Sequence, residues 1–156
     1  MRGAHPNPYV RVRPELSWQP PGNEPRSRVI NGKVWDLASI HTIAKSQVKQ
    51  ADSSLIVPVT DKCSQDIQKL ELTNVDLAMR LLRLGDQNYV KSMWCRRSVQ
   101  PGVKISQEML WLPCDAYVLT VEERISTGWV GSIEYYFKLC LSPSSKVILL
   151  VSLHLS

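Results

Sequence analysis

The apolar residues of this chain change period near residue 89, and that change fixes the order of its layers. Between Val34 and Leu84 they recur every three or four residues, as one face of a helix requires; beyond Tyr89 they recur every second residue, as one face of a strand requires. Helices therefore come first and strands after. In the helical half, Leu37, Ile40, Ile43 or Ala44, and Val48 form one stripe, with Asp36, Ser39, Lys45 and Gln47 opposite. A short second helix is expected over 61–70. A third runs from Asn74, whose side chain is placed to cap Val75–Leu84, to the stop at Gly85. The segment 53–59 stays ambiguous because Pro58 argues against a regular element.

In the second half, strands are expected over 92–99, 108–112, 116–125, 133–141 and 147–154, divided by turn signals at Pro101-Gly102, Thr127-Gly128 and Pro143-Ser144-Ser145. Such short links imply an antiparallel meander of about five strands. In the fourth, Ile133, Tyr135, Phe137, Leu139 and Leu141 point to one face, which the helices should cover; Glu134, Tyr136, Lys138 and Cys140 point to the other. The fold class is α+β, with two or three N-terminal helices packed on a C-terminal antiparallel sheet.

With 156 residues, one domain with a true core is sufficient. Six of the ten prolines fall within the first 25 residues, so residues 1–33 are read as an extended basic arm and 34–156 as the domain. Tyr9, Val10, Val12, Leu16 and Trp18 are placed to dock the arm on the body. Of the net charge of +5, residues 1–35 supply +4, with six Lys/Arg against two Asp/Glu. This excess permits contact with nucleic acid but does not require it. The amino terminus lacks the apolar run of a signal peptide, and Val147–Val151 falls far short of the roughly 20 residues needed to cross a bilayer, so a cytoplasmic protein with no membrane partner is expected. Cys63, Cys95, Cys114 and Cys140 lie far apart without a CxxC pair, so no metal and no cofactor is expected and free thiols are. Cys114 alone is kept open for a chemical role.

The run Tyr89, Val90, Lys91, Ser92 and Met93, the strand Tyr135, Tyr136, Phe137 and Lys138, and the closing strand Ile148 to His154 resemble, in order and spacing, the motifs of the MqsR family. These motility quorum-sensing regulator toxins are messenger-RNA interferases of RelE-like fold. The resemblance covers residues 34–154, with two internal insertions. It implies a metal-independent endoribonuclease acting on single-stranded mRNA, the toxin of a type II toxin-antitoxin pair whose partner is a small protein antitoxin. By it, Lys91 and Tyr136 align with residues used in RNA cleavage. The family's tryptophan, glutamine, aspartate, valine, tyrosine, arginine run survives only as Asp115, Ala116 and Tyr117. Its glutamine falls on Cys114, or on Leu112 if Trp111 is the anchor, and its arginine on Val118.

In such a site a lysine holds the charge of the phosphoryl oxygens, a tyrosine donates or relays a proton, and an arginine grips two oxygens at once. Arg96, Arg97 and Arg124 are candidates for the missing arginine. Lys138 and His154 join the substrate-binding set, and Trp129, flanked by Gly128, is the best candidate to stack on a base, ahead of Trp18 and Trp94. Trp35 and Trp111 belong to the core. Each residue also has an ordinary reading: Lys91 as a solvated cap, Tyr136 as cross-strand packing, Lys138 and His154 as solvated polar groups. The alternative function is a catalytically impaired RNA- or protein-binding module on the same fold.

Overall fold

The computed structural model describes Tyr9 and residues 29–105, 110–124, 128 and 130–155. Its elements are β1 (Val29–Ile30), α1 (Leu37–Lys49), β2 (Ile56–Pro58), α2 (Asp61–Leu70), α3 (Asn74–Leu81), β3 (Tyr89–Arg96), β4 (Trp111–Arg124), β5 (Val130–Leu141) and β6 (Ile148–Leu155). The three helices precede the four long strands as the sequence predicts, but the short strands β1 and β2 fall before and between them. The sheet, however, is mixed and six-stranded, in the order β1-β3-β4-β5-β6-β2, with β2 parallel to β6 and every other pair antiparallel.

Local chemistry sets the helix starts. The Asp36 carboxylate accepts from the Ala38 amide ahead of α1, and the Thr60 hydroxyl accepts from the Cys63 amide ahead of α2. For α3 the cap is Thr73, one residue before the predicted Asn74: the Thr73 hydroxyl accepts from the Asp76 amide while the Asp76 carboxylate accepts from the Thr73 amide. This reciprocal pair satisfies two otherwise orphaned donors, more than an Asn74 side chain alone would. In α1, Gln47 and not Val48 completes the buried stripe. Gln47 is fully buried because its amide ties the chain beyond the helix: Nε2 donates to the carbonyls of Gln50 and Ser53, and Oε1 accepts from the Leu55 amide.

Two strand expectations merge. Residues 108–112 and 116–125 were expected as separate strands; instead Trp111–Arg124 form the single strand β4, with Pro113 inside it. Proline is tolerated because the β4–β5 register begins at Asp115, so Pro113 pairs only with β3, opposite Trp94. Its carbonyl accepts the Trp35 indole N–H at 2.7 Å. The ambiguous segment is also ordered: Ile56, Val57 and Pro58 pair with Ile148, Leu149 and Leu150, the proline closing a short edge strand.

One sheet face is the core. Tyr117, Phe137, Leu139, Leu150 and Leu153 pack there with Ile40 and Ala44 of α1 and Leu77 and Leu81 of α3. Asp115 joins α1 to this face, its two carboxylate oxygens accepting the Val34 and Trp35 amides at 2.9 and 2.8 Å and the Ser92 hydroxyl at 2.5 Å. Tyr9 is buried edge-on against Trp35, ring centroids 6.4 Å apart; Val10, Val12, Leu16 and Trp18, the other residues expected to dock the arm, lie outside the described residues. Ser98, just past β3, donates its amide to Val59, just past β2 at the opposite sheet edge, and its hydroxyl accepts from the Asp61 amide. Such a contact requires a strongly coiled sheet. The concave side carries Lys91, and α2 lies along β6 at its rim.

Candidate nucleic-acid interface

The concave face is organised by one row of register partners. Lys91 of β3 opposes Ala116 of β4, Ala116 opposes Lys138 of β5, and Lys138 opposes Ser152 of β6. Partners in register point to the same face, so both lysines rise from it, about 10 Å apart across two strand spacings. One step along, Val118, Tyr136 and His154 form the next row. Lys91 and Tyr136 thus share a face, with backbones roughly 12 Å apart, close enough for a lysine and a phenol to reach one group between them.

A bulge ends the first row on each side. On β3 the register steps from Tyr89–Tyr117 to Lys91–Ala116, leaving Val90 as the extra residue. On β6 it steps from Lys138–Ser152 to Leu139–Leu150, leaving Val151 extra. The first bulge decides the site: without it Tyr89 and Lys91 would project together, whereas Tyr89 turns to the core side against Tyr117 and Lys91 turns to the concave side. Lys91 is therefore the third residue of a strand and not a helix-to-strand cap.

Around this row the side chains are held by one another. Tyr136 stacks on His154 with centroids 5.0 Å and planes 29° apart, and the Lys138 ammonium lies 5.6 Å from the Tyr136 ring centre. The His154 Nδ1 lies 3.3 Å from the Ser152 hydroxyl. Burial pushes the Tyr136 phenol above its ordinary pKa, and the nearby Cys95 adds to the effect. Lys91 is exposed and has no acidic partner among the described residues.

Of the arginines, Arg96 lines a cleft of about 350 Å³ with Lys138, Ser152, and Thr60, Lys62 and Cys63 of α2. Arg97 lines a second cleft of about 520 Å³, bounded by Thr60, Asp61 and Ser98. The doublet thus serves two adjoining clefts. Arg124 does not belong here: it lies eight residues along β4 from Ala116, roughly 26 Å away, where it donates to the Gly128 carbonyl. Trp129, like Trp18, lies outside the described residues. Trp94 is buried at 1 % exposure and cannot stack on a base. The positions that align with the family's glutamine, Leu112 and Cys114, are both fully buried, and the position of its arginine, Val118, is apolar and half-buried opposite Tyr136. Burial also pushes the Cys114 thiol well above its ordinary pKa, which removes the chemical role kept open for it.

Ser152 and Lys62 were not foreseen. Ser152 was legible as the same-face neighbour two residues before His154, but Lys62 reaches the cleft only through the β2–β6 pairing that carries α2 to the rim.

No known protein family, curated protein or solved structure matches this chain. Among the described residues no helix is long and apolar enough to cross a membrane, and no three His, Cys, Asp or Glu side chains are grouped to hold a metal ion. The concave face instead combines two lysines without an acidic partner among the described residues, a protonated phenol and an imidazole. Such a set suits an anionic ligand that undergoes proton transfer.

Proposed function

We propose that this protein is an endoribonuclease that cuts single-stranded RNA on the concave face of its sheet without a catalytic metal, with Lys91, Tyr136 and His154 as its catalytic residues. The single observation that carries the reading is that Lys91, Lys138, Tyr136 and His154 project from two adjacent rows of one open face. The 2′-hydroxyl of the substrate attacks the adjacent phosphorus, the P–O5′ bond breaks, and a 2′,3′-cyclic phosphate and a free 5′-hydroxyl result. His154 takes the 2′-hydroxyl proton, Lys91 and Lys138 hold the charge that develops on the non-bridging oxygens, and Tyr136 protonates the departing 5′-oxygen. Neither lysine needs a metal to supply positive charge.

The resemblance to the MqsR toxins, and not the geometry, extends the reading to messenger RNA as substrate and to a small protein antitoxin that covers the concave face. Incubation of the purified protein with single-stranded RNA in EDTA tests the activity: the reading expects fragments ending in 2′,3′-cyclic phosphate, and intact RNA overturns it. A second reading, RNA or protein binding without cleavage on the same face, is favoured by the apolar Leu112, Cys114 and Val118 at positions where the family places its glutamine and arginine. Retention of RNA by the protein without fragments supports that reading.

A further inference from the structure

We infer that the cleft between α2 and the end of β3 is a subsite for a flanking phosphate of the same RNA strand, held by Arg96 and Lys62 and continuous with the reacting phosphate through Lys138. The inference rests on reading the concave face as an RNA site. Lys138 belongs to both places: it stands in the row with Lys91 and it lines the cleft. The cleft presents three cations and the Ser152 hydroxyl, with no carboxylate in its lining among the described residues. Arg96 is exposed and has no acidic partner among those residues, so its guanidinium has donors to spend on phosphate oxygens. Lys62 is held by Asp66 at 3.0 Å, one turn along α2, which fixes it at the rim and leaves it the weaker contact. Lys91 and Lys138 share one row, and Lys138 in turn shares the cleft with Arg96 and Lys62 at the end of β3, so one strand can pass from the row into the cleft.

Binding to a single strand releases about 0.7 counterion for each phosphate neutralised, so three contacts give a slope of log affinity against log salt of about −2. The test uses a short fluorescein-labelled 2′-O-methyl oligoribonucleotide, which lacks the attacking hydroxyl, beside the labelled dinucleotide. Anisotropy titrations at several salt concentrations compare wild type with Arg96→Gln and Lys62→Gln. The inference expects Arg96→Gln to weaken oligonucleotide binding several-fold, to flatten the slope by about 0.7, and to leave the dinucleotide unaffected, with Lys62→Gln doing the same to a smaller degree. An unchanged slope in Arg96→Gln, or equal losses for both probes, overturns the subsite while the RNA reading stands. Failure of the wild type to bind either probe overturns both.

Discussion

Tyr136 and His154 face each other across β5 and β6 with their rings stacked at 5.0 Å, in the row next to the one that holds Lys91 and Lys138. Burial raises the phenol's pKa, so it keeps its proton through neutral pH and serves as donor and not as base. Tyr136→Phe should therefore lower the cleavage rate by about 10² to 10⁴ and leave the shape of the pH–rate profile unchanged near neutrality. A wild-type rate that climbs towards alkaline pH, with a climb that Tyr136→Phe abolishes, would show a phenolate base and contradict this role.

Gln47 is the one fully buried amide side chain that the described residues show, and four hydrogen bonds hold it. Gln47→Leu fits the space but strands the Leu55 amide and two carbonyls. It should cost about 1–3 kcal/mol, read as a lower urea midpoint with an unchanged slope. A midpoint equal to the wild type would show that water replaces the amide.

Asp76 and Asp115 should pull stability in opposite directions with pH. The Thr73 amide bond lowers the Asp76 pKa, so its contribution is full above the ordinary carboxylate value of about 3.9 and is lost as pH falls through the lowered one. Burial raises the Asp115 pKa against the pull of Ser92, Val34 and Trp35, so the fold is favoured by a protonated Asp115 and loses stability as pH rises through that value. Urea midpoints across pH should show Asp76→Asn removing the acid-side loss and Asp115→Asn removing the loss on raising pH. Parallel profiles for both variants and wild type would refute the assignment.

The four cysteines are free and buried, and burial pushes the Cys63 thiol up to about 12. Burial keeps all four from contact with a reagent, so a disulfide reagent such as DTNB should label none in the folded protein and four after denaturation. One fast-reacting thiol in the native state would contradict the burial.

What the sequence made legible was periodic. The alternation of β5 placed Tyr136 and Lys138 on one face and Tyr135, Phe137 and Leu139 on the other, because a strand's side chains obey a two-residue period whatever their partners. What it hid was non-local. The bulges at Val90 and Val151 depend on register with neighbouring strands, yet one leaves a trace in the doublet Val90-Lys91, both exposed, and the other in the buried run Ile148–Val151. Pro58 misled because proline excludes a residue only where its amide must pair, and it sits at the sheet edge, where one side of the strand lacks a partner. Arg124 stands far from the row for a simpler reason: position along a long strand, not charge, decides what a side chain can reach.

The most direct measurement is cleavage of single-stranded RNA in EDTA by wild type, Lys91→Ala and Tyr136→Phe, each first matched for urea midpoint. The account predicts fragments ending in 2′,3′-cyclic phosphate from the wild type and rates about 10² or more lower in both variants. Inert wild type, or variants that cut as fast as it does, would contradict the claim that this face is the catalytic site.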